Sequence, residues 1–359
     1  MKKTLLVVGE RYRVIYEASA YVRRKAEAML GSVDIIVYLR ESDPDILFEI
    51  QNLVELSETL IIACSKSYMP LISKTLATHS GDSLQVKNDA IVPSQARLIN
   101  KNDYAITLGA TEIIVSLMDD KSEPIIINKN SGRFCIFGRD EESAKLLISP
   151  LAQAHDVTVN VFGHCGDWLQ GYAEAKRYGN IEAFFQNAKK LFGVGFVQSE
   201  DAATAALEAL GNETVVVAES CTGGLLAYRF TSIAGASKNF LGGFVTYANE
   251  AKSAWLGVLP SVIDEHGAVS SQTVEQMLDG ALQASGADYA LATSGVAGPS
   301  GGSEDKPVGT VYIGMGTKNG EKIIEKLFLQ GDRIGIQSCA SWQVIKILTE
   351  FLLKNKKSS

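Results

Sequence analysis

The sequence predicts an α/β protein in three parts. These are an amino-terminal domain of βαβ units around a mostly parallel sheet, a small middle α+β segment, and a carboxy-terminal α/β sandwich with a mixed sheet. Short apolar runs alternate with helical patterns through the first half, the mark of a parallel sheet built by crossovers. A polar, glycine-bearing stretch around Gly193, Gly195 and Gln198-Ser199-Glu200-Asp201 reads as a linker. Beyond it, strand patterns are joined both by helices and by one tight hairpin, so parallel and antiparallel pairs share a sheet. The expected domains are 1–155, 156–200 and 201–359.

In chain order, Leu5–Val8, Val33–Leu39 and Thr59–Cys64 read as buried strands, with helices over Tyr16–Leu30 and Asp45–Leu53 between them. A helix follows at Leu71–Thr78, and Ile113–Met118, Ile125–Ile127 and Arg133–Phe137 add strands, the second entered through Pro124. The middle segment starts with a strand at Val157–Phe162, followed by expected helices around Trp168–Tyr178 and Ile181–Leu191. In the last part, Ala202–Leu210 is a helix stopped at Gly211, and Thr214–Ala218 is a β-branched strand. Ser220–Gly224 is a turn feeding a helix from Leu225 to Ile233. Gly243–Tyr247 is a strand, Asn249 the expected cap of a short helix ending near Gly257, Thr273–Ala284 a helix, and Tyr289–Thr293 a strand. Val308–Met315 and Lys322–Leu329 pair across Asn319-Gly320, the favoured type I′ dipeptide. An amphipathic helix over Arg333–Leu353 follows.

Composition narrows the function. Of 359 residues, 46% are hydrophobic and 21% charged, ordinary for a globular chain. A formal charge of −7 without a basic block argues against nucleic acid as the partner, and Lys354, Lys356 and Lys357 read as a solvated end. The apolar run after Met1-Lys2-Lys3 meets Glu10 and Arg11 at once, so it reads as a strand rather than a signal peptide. No run approaches the ~18 apolar residues of a membrane span. Cys64, Cys135, Cys165, Cys221 and Cys339 show neither metal nor disulfide spacing. A cytoplasmic protein with neither metal nor cofactor is expected.

The chemistry-bearing residues lie in the last part. In Ala218-Glu219-Ser220-Cys221-Thr222-Gly223-Gly224, a serine stands between a buried strand and a helix start, where amide groups converge. That place suits a phosphate or the oxyanion formed when the serine attacks a carbonyl, but Ser220 or Thr222 could equally be a helix cap. A serine nucleophile needs a base. His266 is the histidine of that domain, at a loop where a surface or capping role is common. Lys252 is the other candidate: a helix start disfavours its charge and burial would lower its pKa, although an exposed lysine is the commoner case. Tyr247 could relay a proton or pack. The glycine-rich loop Ser294-Gly295-Val296-Ala297-Gly298 between two apolar strands could form an anion nest. Arg333 opposes the helix dipole at its position, which a bound phosphate would compensate, with Asp332 as the helix cap.

Six segments carry a resemblance: Ala218–Gly224, Gly243–Lys252, His266–Ser270, Ser294–Pro299, Lys306–Val311 and Gly331–Arg333. In this order and spacing they resemble the CinA family, specifically its carboxy-terminal nicotinamide mononucleotide deamidase (PncC-type) domain. The resemblance implies hydrolysis of nicotinamide mononucleotide to nicotinic acid mononucleotide and ammonia, a pyridine-nucleotide salvage step. It implies Ser220 as nucleophile, neutral Lys252 as base and Tyr247 as a possible relay. Glu219, Cys221, Thr222, Gly223, Ser294, Gly295, Gly298 and Arg333 would hold the substrate, with amides near Cys221–Gly223 as the oxyanion site. It also implies a homo-oligomer, expected as a dimer. Full-length family members carry an amino-terminal molybdopterin-binding-type domain credited with metal-dependent ADP-ribose pyrophosphatase activity. Here Gly9-Glu10-Arg11-Tyr12 and Cys64-Ser65-Lys66-Ser67-Tyr68-Met69-Pro70 stand where that domain's motifs would be, without its acids. A degenerate scaffold is therefore expected, with a bifunctional enzyme or a non-enzymatic nucleotide-binding module as alternatives.

Overall fold

A computed structural model of the chain describes residues 2–9, 12, 15–41, 43–87, 90–99, 103–117, 130–165, 168–199 and 201–355. It divides into two compact units, Met1–Asn130 and Ser131–Ser359. The expected strand at Ile125–Ile127, the residues Glu10 and Arg11, and Lys356 and Lys357 of the tail lie outside the described residues.

The first unit is built on β1 (Lys2–Val8), α1 (Tyr16–Leu30), β2 (Ile35–Leu39), α2 (Ile46–Leu56), β3 (Ser57–Cys64) and α3 (Met69–Ser80). A two-stranded ribbon, β4 (Leu84–Lys87) with β5 (Ala90–Pro93), follows. Then come β6 (Arg97–Leu98), β7 (Tyr104–Leu108) and β8 (Thr111–Leu117). The sheet order is β2-β1-β3-β8-β7-β6. Four neighbouring strands are parallel, while β7 runs against β8 and β6 against β7. Leu5, Leu6, Val7 and Val8 are all fully buried, as a central parallel strand covered on both faces requires.

The second unit opens with β9 (Ser131–Phe137), α4 (Glu141–Ala154), β10 (Val157–Cys165), β11 (Trp168–Ala175), α5 (Ile181–Phe192) and β12 (Phe196–Val197). These strands form a sheet of order β10-β11-β9-β12. Two features differ from the sequence reading. The strand at Arg133–Phe137, expected with the first half, pairs with β11 and β12 and belongs to the second unit. The helix expected around Trp168–Tyr178 is absent, and Trp168–Ala175 is instead strand β11. Packing overrides propensity there: a Cβ on Gly171 would sit 2.1 Å from the ring of Phe134, so this position must be a bare strand residue under an aromatic cluster.

The rest is the carboxy-terminal sandwich: α6 (Ala202–Leu210), β13 (Val215–Glu219), α7 (Leu225–Thr231), β14 (Phe240–Val245), α8 (Asn249–Leu256), α9 (Pro260–His266), α10 (Ser271–Ser285), β15 (Tyr289–Gly295), β16 (Thr310–Thr317), β17 (Lys322–Phe328) and α11 (Arg333–Asn355). The sheet runs β14-β13-β15-β16-β17, parallel through β15 and antiparallel beyond. Val215, Val217 and Leu291 face a core shared with α6, α7 and α11; Val216, Ala218 and Ala290 face α8 and α10. Cys135 and Trp168 of the four-stranded sheet join the first of these cores. No helix among the described residues is long and apolar enough to cross a membrane.

Candidate active site

The carboxyl ends of the three parallel strands lie side by side, with Glu219 opposite both Val245 and Thr293. Such an edge is where open α/β sheets place their ligands. Three segments leave the sheet there: Ser220–Gly224 after β13, Thr246–Tyr247 after β14 and Val296–Gly298 after β15.

The first segment is a double turn. Ser220 N donates to Thr293 O at 2.9 Å, Gly223 N to Ser220 O at 3.2 Å and Leu225 N to Thr222 O at 3.0 Å. The second turn has φ +60° at Gly223 and +99° at Gly224, a pair of left-handed residues that only glycine adopts readily. Helix α7 then starts without a side-chain cap at the cap position itself. Glu219 supplies the missing acceptor: its carboxylate takes the amides of Gly224 (2.9 Å), Leu226 (3.0 Å) and Ala227 (2.8 Å). Glu219 is fully buried and fastens the helix start. The same finding removes the capping role considered for Ser220 and Thr222. Thr222 instead pairs hydroxyl to hydroxyl with Thr293 at 2.7 Å.

Lys252 faces the serine. The helix carrying it begins at Asn249 with Ala248 as the extended residue before it, so Asn249 is not the cap the sequence suggested. Lys252 is 1% exposed, and its Nζ lies 3.0 Å from Ser220 Oγ, 2.9 Å from Thr246 O and 3.5 Å from Tyr247 O. Burial lowers its pKa, outweighing the opposing influence of Cys221 and of the Glu250 carboxylate. The two carbonyls can only accept hydrogen bonds, so Nζ donates to both; in the neutral form of the amine this leaves the lone pair for the Ser220 hydroxyl. Cys221, beside the serine, is buried and its thiol is pushed up to about 12 by desolvation, which leaves it no thiolate to compete as nucleophile.

The amides of Cys221 and Thr222 make no hydrogen bond to another described residue, the first lying against its own thiol, whereas Gly223 N is committed to Ser220 O. The oxyanion donors expected near Cys221–Gly223 therefore narrow to two, the inner amides of the first turn.

Tyr247 and Arg333 sit at the mouth. Arg333 donates to Gly298 O and to the Tyr247 hydroxyl, each at 2.7 Å. The Tyr247 phenol is thus held by Arg333, and its residue meets Lys252 through the main-chain carbonyl. Asp332 caps α11 as expected, taking the Gly335 amide at 2.8 Å. Ser294 is buried and ties its loop to Ala268 O at 2.7 Å, while a Cβ on Gly295 would sit 2.7 Å from Val311 and one on Gly298 2.6 Å from Val308. These three shape the loop rather than line it with side chains. His266, the other candidate base, has a partly exposed ring 3.8 Å from Glu265, and its carbonyl accepts from Lys306 at 2.7 Å. Sequence reasoning missed Gln337, whose Nε2 donates to Cys221 O at 2.7 Å. Its signal was its place one helical turn after Arg333 on the same face.

A family model described as the CinA C-terminal domain matches residues 198–352. The nicotinamide-nucleotide amidohydrolase PncC of Escherichia coli K12 is 48% identical over 150 residues, which are 42% of this chain and 90% of that protein. The chain belongs to the CinA family. A putative competence-damage inducible protein of Symbiobacterium thermophilum is 39% identical over 218 residues, 57% of this chain and 50% of that one. Among solved structures, the competence/damage inducible protein CihA of Agrobacterium tumefaciens is 37% identical, covering 44% of this chain and 98% of its own, with a TM-score of 0.41. The six CinA segments read from the sequence converge here. Thr246, Tyr247 and Lys252 come from the second, and Ala268, which anchors Ser294, from the third.

Proposed function

We propose that the carboxy-terminal sandwich is an amidohydrolase that converts nicotinamide mononucleotide to nicotinic acid mononucleotide and ammonia. The observation that carries this reading is the buried Lys252 amine 3.0 Å from Ser220 Oγ, beside two unpartnered amides. Ser220 Oγ attacks the carboxamide carbon while its proton passes to neutral Lys252. The oxygen that gains charge is received by the amides of Cys221 and Thr222. The resulting ammonium of Lys252 gives its proton to the departing nitrogen, and ammonia leaves an ester of nicotinic acid on Ser220. Water then loses a proton to Lys252 and attacks the ester, releasing the acid and restoring the serine. Arg333, with part of its guanidinium fork still unused, and the amides of Ala297 and Gly298 are suited to the substrate phosphate, the Val296 amide being committed to Thr310 O.

The choice of nicotinamide nucleotide rests on the name of the Escherichia coli relative. The family resemblance adds a homo-oligomer to this reading. A scaffold role for the first unit is supported by the departures from the family's motifs at Gly9-Glu10-Arg11-Tyr12 and Cys64-Ser65-Lys66-Ser67-Tyr68-Met69-Pro70. Ammonia release from nicotinamide mononucleotide by wild type and by Ser220→Ala tests the proposal. Release that disappears in the variant supports it. No release from folded wild type would sink the substrate, and release that persists in the variant would sink the nucleophile.

A further inference from the structure

We infer that Gln337 is a positioning residue for the oxyanion site, holding the Cys221–Thr222 peptide so that the Thr222 amide stays turned toward the reacting carbonyl. This rests on the reading of Ser220 as nucleophile. The peptide is trans, so its C=O and N–H point in opposite directions. Gln337, reaching in from α11, holds the carbonyl at 2.7 Å, and its Nε2 lies over the turn, 3.9 Å from where a Cβ on Gly223 would be. The N–H of the same plane must then point away from α11, and it meets no acceptor among the described residues.

An amide left bare in a buried turn is poorly placed unless a ligand oxygen completes it. Rotating the peptide, which changes ψ at Cys221 and φ at Thr222, would relax this. Two contacts oppose the rotation: the Thr222 hydroxyl on Thr293 at 2.7 Å and the Gln337 amide on Cys221 O. The first holds the side chain of Thr222, and the second acts on the peptide plane itself. Gln337 touches neither the nucleophile nor the base. Its effect is confined to how well one donor is aimed, which matters in the transition state and little when neutral substrate binds.

The test uses the full chain with Gln337→Met, close in shape but without a donor, and Gln337→Glu, which cannot donate while ionised; the second carries the test if the first does not fold. Expected is a fall in kcat of about 10- to 100-fold, below the loss for deleting an oxyanion donor outright, with KM within about twofold. Affinity for the aldehyde analogue of the nucleotide, which forms a hemiacetal with Ser220, falls by the same factor as kcat. Affinity for the product acid nucleotide does not change. Unchanged kcat, or equal losses for analogue and product, overturns the inference. Ser220→Ala is measured in parallel: turnover that survives there overturns the parent reading, a result distinct from an unaffected Gln337 variant in an enzyme that needs Ser220.

Discussion

Two junctions in this molecule have the same outline and different chemistry. In the first unit β3 runs into α3 through Ser65-Lys66-Ser67-Tyr68, and in the second β13 runs into α7 through Ser220-Cys221-Thr222-Gly223-Gly224. Both place a serine directly after a central, buried, parallel strand. Ser65 is partly exposed, donates to Glu41 at 3.0 Å and lies 2.8 Å from Ser67; its carbonyl takes the amides of Tyr68 and Met69. Ser220 is buried against a lysine, and two amides of its turn are left open. The strand–serine–helix pattern is therefore not the site. What distinguishes the second junction is the glycine pair that lets Glu219 cap the helix, freeing the serine from that task, and the burial of the amine opposite.

The largest expected effect would break the comparison directly. Ser220→Ala lowers kcat/KM for amide hydrolysis on the order of 10⁴-fold or more, as removal of a serine nucleophile does elsewhere. Ser65→Ala leaves it unchanged. Ammonia release from the two variants, with circular dichroism to show both folded, decides it. Equal activity would mean that the two junctions differ in shape alone.

The next effect concerns the base. Lys252→Met lowers kcat by about 10³-fold, within the usual range for general-base loss. In the wild type, activity rises with pH as the Lys252 ammonium deprotonates and levels off above its lowered pKa. The stability sign follows from the same shift. Between the folded pKa and the ordinary 10.5, the unfolded chain binds the proton that the folded chain does not, so Lys252 makes stability rise with pH there. Lys252→Met removes that slope. Urea melts of both proteins across alkaline pH measure it, and identical slopes would show that the amine is charged in the folded state.

Glu219 sharpens the comparison through stability. Glu219→Ala leaves three amides, one buried and two partly buried, without an acceptor and costs about 3 kcal/mol of unfolding free energy. A denaturant midpoint measures this, and a change under about 1 kcal/mol would mean that Gly223 and Gly224 organise the helix start unaided.

Much of this was legible in the chain. β-branched Val215–Val217, the apolar Leu5–Val8 and Thr59–Cys64, and the β16–β17 hairpin fall where their patterns place them, because local composition and burial agree there. The hairpin's turn is not the expected type I′, since Gly320 has a positive φ and Asn319 does not. The site's residues were legible as segments in order. Their roles were less so, since a role depends on where a side chain points: Glu219 reads as a polar strand end yet turns inward, and Asn249 reads as a cap yet lies inside the helix. Trp168–Ala175 failed for a third reason, its helix-forming residues lying under Phe134 in a sheet. Gln337 offered only its place one turn after Arg333, which does not disclose a distant main-chain partner.

The smallest effect asks what the mouth of the site adds beyond the junction. Arg333→Lys keeps the charge but cannot bridge Gly298 O and the Tyr247 hydroxyl as the planar fork does. KM for nicotinamide mononucleotide is expected to rise about tenfold, one charge-assisted bond's worth, with kcat little changed. Repeating the measurement with the nucleoside, which lacks the phosphate, separates the two things Arg333 can do. If its unused donors meet the phosphate, the substitution affects the nucleotide and spares the nucleoside. If Arg333 only latches the loop to Tyr247, both substrates lose equally. In that case the phosphate must be held by the main-chain amides of Ala297 and Gly298, and the contrast between the two junctions would rest on the serine, the lysine and the turn alone.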